Sequence, residues 1–226
     1  MRKFLSTLLL TISILIFAQE SKEKNWVLKL NTTQLIDFFT FPNLEISVER
    51  KITPYFSINA EAGYQLYDLY KFEEVILKPK GFKANLEGRL YVNKLLSSYP
   101  ESEEDHLFFA IQAFYRENQN TEVLDYSPKD DDTIIYTEHF GYKRTAKGFN
   151  IIAGTQFSVS NRFIIEPYGG LGLLNRKLKN VNLNYDESQY EIVGEELTPF
   201  YKELKMEKST GNFFNICFGV RIGYRL

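Results

Sequence analysis

Apolar and non-apolar residues alternate one for one through the last stretch of the chain, NICFGVRIGYRL. Ile216, Phe218, Val220, Ile222, Tyr224 and Leu226 take one parity; Cys217, Gly219, Arg221, Gly223 and Arg225 take the other. A strand sends successive side chains to opposite faces. The segment therefore predicts a strand with one apolar face and one face of glycine and arginine.

The pattern recurs upstream. Trp26, Leu28 and Leu30 lead the first segment, Leu44, Ile46 and Val48 the second, and Phe56 through Leu66 the third. Phe82 to Val92, Leu107 to Tyr115, Phe149 to Phe157 and Phe163 to Leu173 complete the set, so that the C-terminal strand is the eighth. An even number of strands, many about ten residues long, suits tilted strands that cross a bilayer. The connectors are Ile36–Asn43, Arg50–Pro54, Tyr67–Gly81, Asn93–His106, Glu117–Gly148, Ser158–Arg162 and Asn175–Asn212. Tight turns such as KITP and SNR alternate with long loops, except that the Asn93–His106 connector is long where a short one is expected.

The composition of the polar parity decides which face meets which medium. It carries Glu45, Glu49, Glu61, Glu87 and Glu166 against Lys29, Lys83, Arg89, Arg116, Arg221 and Arg225. The signs nearly cancel, as enclosed and paired groups require. Glycines at 63, 154, 170, 172, 219 and 223 lie among them and make room for long side chains from across a narrow lumen. The apolar parity then faces lipid. Trp26, Tyr55 and Tyr224 at one end of the strands, and Tyr64, Tyr67, Tyr115 and Phe149 at the other, fit two interfacial aromatic belts.

The N-terminus reads as a secretory signal: Arg2 and Lys3, an apolar run from Phe4 to Phe17, and Ala18 before the polar QESKEK. That run is shorter than the roughly 20 residues of a spanning helix. The expected organisation is a signal peptide over 1–18, a short N-terminal segment over 19–24 and a barrel over 25–226. A net charge of −2 gives no electrostatic case for nucleic acid. The single cysteine, Cys217, rules out an intrachain disulfide framework.

With these features the chain resembles the small eight-stranded outer-membrane barrels: the OmpA transmembrane domain, OmpX and OmpW, and above all barrels without an assigned role in Bacteroidota. The signal MRKFLSTLLLTISILIFA, the strand FIIEPYGGLGLL and the closing FGVRIGYRL carry the resemblance. Leu226 stands where that group usually ends in Phe. The resemblance implies an all-β fold, an eight-stranded antiparallel up-and-down transmembrane β-barrel with long extracellular loops, in the bacterial outer membrane. It also implies contact with outer-membrane lipid, and recognition by the assembly machinery through the C-terminal strand. The loops could serve an extracellular partner, and the expected state is a monomer.

Chemistry is sparse. No catalytic, cofactor-binding or metal-ligating residue is assigned, and no cofactor is expected. His106 falls in a connector, and His139, in TEHFGYK, has no serine close by in sequence, so it reads as a loop histidine. DYSPKDDDT lacks the Gly and terminal Glu of a Ca²⁺ loop and reads as the tip of a hairpin. Arg221 and Arg225 each need a carboxylate; Glu166 is the nearest by topology, with Glu61 next. The expected role is structural or surface-interacting, with a charged lumen, no open channel and no catalysis. A lipid-modifying outer-membrane enzyme and a soluble periplasmic lipocalin-like ligand binder are the alternatives.

Overall fold

The computed structural model describes residues 25–37, 40–67, 74–92, 105–194 and 202–226; the expected signal peptide lies outside them. The strands are β1 (Trp26–Asn31), β2 (Leu44–Lys51), β3 (Phe56–Tyr64), β4 (Lys80–Tyr91), β5 (Asp105–Pro128), β6 (Tyr136–Ser158), β7 (Phe163–Val181), β8 (Tyr190–Ile192) and β9 (Gly211–Arg225). All barrel pairings are antiparallel. The order runs β4-β3-β2-β1-β9-β7-β6-β5, and β4 pairs with β5 from Lys80↔Gln119 to Tyr91↔Phe108, which closes an eight-stranded barrel. The short β8 adds to β5 beyond the barrel, at Tyr126↔Ile192 to Pro128↔Tyr190.

The faces fall as the alternation requires. Outward-pointing Ile46, Ile58, Leu86, Ile111, Ile151, Leu171, Ile216 and Phe218 are exposed, while Lys29, Glu45, Glu49, Glu61, Glu87, Arg89, Glu166 and Arg221 are buried. This is inverted relative to a water-soluble protein. A closed sheet leaves no strand edge, so it can put an apolar belt into hydrocarbon and keep its polar groups inside. The fold is a transmembrane β-barrel.

The start of β1, the end of β9 and the two tight turns share one end, here the terminal end. The two turns use the same device. Phe56 N–H donates to Thr53 Oγ1 at 3.0 Å, and Phe163 N–H donates to Ser160 Oγ at 3.1 Å. A hydroxyl that accepts from the chain a few residues on fixes such a turn locally. Trp26, with Arg50 over its ring at 5.1 Å, and Tyr224, bonded to Arg162 at 2.8 Å, ring this end.

The opposite, loop end departs from the sequence reading. The hairpin expected around DYSPKDDDT is present, but the rest of Glu117–Gly148 is no loop: β5 and β6 continue from the barrel as one ladder to Tyr126↔Tyr136. β7 likewise runs on to Val181, and β9 starts at Gly211. Above the barrel these strands bury Leu124, Phe140, Tyr142, Leu178 and Met206, with Tyr126, Leu183, Tyr185 and Ile192 packed against them. The loop end thus carries a small hydrophobic core of its own. Its alternation was hidden because both faces of these strands leave the apolar belt, so lipid no longer dictates the outer parity.

Candidate functional site: the barrel interior

The lower half of the lumen is filled by an ionic plug. Arg221 on β9 reaches Glu61 (2.8 Å), Glu87 (2.7 Å) and Glu166 (2.9 Å). Arg89 on β4 reaches Glu49 (3.0 Å) and Glu166 (2.9 Å), and its Nε donates to Glu87 at 2.7 Å. Lys29 on β1 bridges Glu49 and Glu166. Every one of these side chains has no solvent exposure. Gln156 Nε2 donates to Glu49 and Glu166 at 2.8 Å each. Seven strands therefore meet through shared carboxylates, with cations and acids from opposite walls in register to interlock. Buried charges are tolerated only with such complete pairing.

Gly219, one of the glycines foreseen in the lumen, gives the plug clearance. A Cβ on Gly219 would sit 2.8 Å from Tyr168 Oη and 2.9 Å from its ring. That space lets the Tyr168 ring lie under the Arg221 guanidinium at 3.8 Å, while its hydroxyl accepts from Asn31 Nδ2 at 2.9 Å. Toward the terminal end, Arg89 lies over Phe108 at 4.5 Å, and Phe108 packs with Tyr91, Ala110 and Ile152.

Several expected placements change. Arg225 forms no salt bridge among the described residues; its Nη2 donates to Ser158 Oγ at 2.7 Å, at the barrel mouth below the acids. His106 is no connector residue but the second residue of β5, edge-on to Tyr91. His139 lies in β6 opposite Val123, and its buried Nδ1 has no hydrogen-bond partner among the described residues. Asp125 accepts from Thr137 and pairs with Lys202 at 3.2 Å, while Asp131 accepts from Thr133 at the exposed tip. Asp125 and Asp131 thus turn to separate partners.

Above the plug lies a chamber of about 630 Å³. Its rim includes Asp37, whose carboxylate pairs with Lys83 at 2.8 Å and accepts from Thr40 N–H at 2.9 Å. Burial alone would raise the Asp37 pKa, but the Lys83 charge and these hydrogen bonds outweigh it and hold the group below its ordinary value. Arg116, Arg144 and Arg176 also line the chamber. The sequence reading placed Arg116 on the inner parity but left Arg144 and Arg176 in connectors. Their direction follows only once the strands are known to continue, from the parity that Arg144 shares with Asn150 and Ile152 on β6 and Arg176 with Leu174 on β7.

The chain belongs to a family described as "Protein of unknown function (DUF3575)", whose model matches residues 5–207. No curated protein matches it. Among solved structures, the Acinetobacter baumannii protein CarO2 is similar at 12% identity and a TM-score of 0.42, over 89% of this chain and 97% of that one. CarO of the same organism gives 9% and 0.34, over 89% and 96%. At these scores the likeness bears on neither ligand nor activity.

Proposed function

We propose that this member of the DUF3575 family is an integral outer-membrane barrel closed by its own side chains, with a structural or surface-interacting role and no catalysis. The observation that supports this reading best is the ionic plug. An eight-stranded barrel has an interior just wide enough for side chains. Here Arg89, Arg221, Lys29 and their carboxylates fill it with no solvent exposure. A solute path would have to break several charge-assisted bonds at once. The surface role falls to the loop end, where the β5–β6 tip leaves Ile134, Ile135 and Tyr136 exposed above the barrel.

Planar-bilayer recording of the refolded protein tests the closed lumen: the expected trace has no steady unit conductance, and discrete regular steps would overturn it. Fractionation tests the location. Recovery in the outer membrane is expected, and recovery in the soluble periplasm would restore the lipocalin-like reading. Envelope lipid composition with and without the gene tests catalysis, with no change expected.

A further inference from the structure

The chamber above the plug is electrostatically unlike the plug. Arg116 on β5 and Arg176 on β7 both stand opposite Ala146 of β6, and Arg144 follows on the same inner face two residues earlier. Adjacent strands lie about 4.8 Å apart, so the three guanidinium groups crowd around one small residue. Like charges placed together in a sheet are destabilising unless something neutralises them.

Their hydrogen-bond acceptors among the described residues are neutral, and the nearest acid that acts on Arg116 is Asp37, which Lys83 already holds. Arg116 donates to Asn215 Oδ1 at 3.2 Å; Arg144 donates to Asn118 Oδ1 and the Thr40 carbonyl, each at 2.9 Å; Arg176 donates to the Ser209 carbonyl at 2.9 Å. Two buried donors, Arg116 Nε and Arg176 Nη2, bond to nothing among the described residues. The carboxylates of the chamber are Asp37, held by Lys83, and Glu45, which accepts from Asn31 at its floor.

The chamber also opens sideways. The ladder joining β1 to β9 ends at Asn31↔Arg221, and one step on Val220 is still held, its carbonyl accepting from Thr32 N–H at 3.0 Å and its N–H donating to Thr33 Oγ1 at 2.9 Å; beyond it β9 runs on to Gly211 beside β7. The cavity is lined by Asn215 and Cys217 from the inner face of β9 and by Phe214, Ile216 and Phe218 from its outer face. A cavity that touches both faces of one strand passes around that strand's edge. The outer residues there are 75%, 70% and 52% exposed and belong to the apolar belt.

We propose that this chamber binds an amphiphile with a phosphate-class head, gripped by Arg116, Arg144 and Arg176, whose apolar tail leaves along Phe214, Ile216 and Phe218. Donors converging from three strands suit an anion with oxygens on several sides better than a planar carboxylate. The tail's path rests on the membrane-barrel reading. A chain that stays soluble without detergent fails that reading, whereas a detergent-solubilised barrel that ignores the probe fails this proposal alone.

Cys217 in the chamber wall is the chain's single cysteine and serves as the reporter. The full chain, refolded in a neutral phosphate-free detergent, is treated with a maleimide in the presence of short-chain phosphatidic acid, the matching diacylglycerol, or inorganic phosphate. Phosphatidic acid slows the modification by about tenfold or more at saturation, and the other two do not. Equal protection by the diacylglycerol, equal protection by inorganic phosphate, or no protection by phosphatidic acid would each overturn the proposal. Arg116→Gln with Arg176→Gln raises the half-protecting concentration by about tenfold or more, while Lys147→Gln on the outer parity of β6 leaves it unchanged. An unchanged concentration in the arginine variant would also overturn it. If that pair impairs folding, Arg144→Gln alone carries the same test.

Discussion

Glu166 of β7 and Arg221 of β9 are register partners whose side chains meet at 2.9 Å inside the barrel, where neither is exposed. The same Glu166 also receives Lys29 and Arg89, and the same Arg221 also holds Glu61 and Glu87. Their contact is thus one of two links between Arg221 and Arg89, the other running through Glu87. Arg221→Ala leaves three carboxylates short of a cation and should cost about 3–5 kcal/mol, as should Glu166→Ala. The double variant should cost clearly less than the two losses together. Urea unfolding of the refolded protein in detergent, arranged as a double-mutant cycle, measures the difference. Small, additive losses would mean that these groups are solvated, and the enclosed lumen would fall.

The outer face is tested at Ile151. It is 69% exposed and flanked in register by Ile111 and Leu171, at 67% and 56%. Such exposure is costly in water and favourable in hydrocarbon. Ile151→Arg should destabilise the vesicle-inserted barrel by about 2–4 kcal/mol, and Val159→Arg, in the β6–β7 turn, by about 0–1 kcal/mol. Equal losses at the two positions would contradict a lipid belt around β6.

Gly219 is required by a neighbour rather than by its own backbone. An added methyl group would strike Tyr168, which is fixed between Asn31 and Arg221. Gly219→Ala should cost about 1–3 kcal/mol through overpacking. Gly88→Ala serves as the contrast, since its methyl would meet only Phe56 at an ordinary 3.7 Å. The unfolding midpoints of the two variants, taken side by side, decide the point.

How far the sequence reveals this molecule depends on the medium around each residue. Where lipid lies on one side and the lumen on the other, as at Leu44 and Glu45 or Val220 and Arg221, parity separates cleanly and the pairing of Arg221 with Glu166 and Glu61 is foreseeable. Glu117, Asn118, Gln119 and Asn120 lie consecutively in β5 without any alternation of polarity. Their strand is set by pairing with β6, which composition does not encode. The arginine chamber was missed for the same reason. Arg144 and Arg176 sit where the outer parity is already polar, so nothing local marks their inward direction. Arg225 was assigned a carboxylate because parity gives the face but not the depth along the barrel.

The loop-end core should be separable from the barrel. Phe140 and Leu124 are fully buried there, among Tyr142, Leu178 and Met206. Phe140→Ala should remove about 3–5 kcal/mol of local stability. Because the plug and the lipid belt are untouched, the barrel stays folded while the cap opens. Limited proteolysis should show faster cleavage within 117–148, with the barrel's resistance to denaturant unchanged. A parallel drop in the barrel's own unfolding midpoint would mean that cap and barrel are one cooperative unit.

Asp37 links the chamber rim to pH. Its carboxylate is held by Lys83 and Thr40, and its pKa lies below the ordinary value. The unfolded chain, with a carboxylate pKa near about 3.9, then binds the proton more readily than the folded one. The stabilisation from Asp37 is therefore complete above that pH and is lost as pH falls through the lower folded value. Asp37→Asn removes it at every pH. The gap in unfolding free energy between the parent chain and Asp37→Asn should stay constant from pH 7 to about pH 5 and narrow steadily below about pH 4. Working with this difference cancels the acid response of the plug carboxylates, which both proteins share. A gap that widens toward low pH would reverse the sign of the coupling, and the Lys83–Asp37 contact would no longer account for the lowered Asp37 pKa.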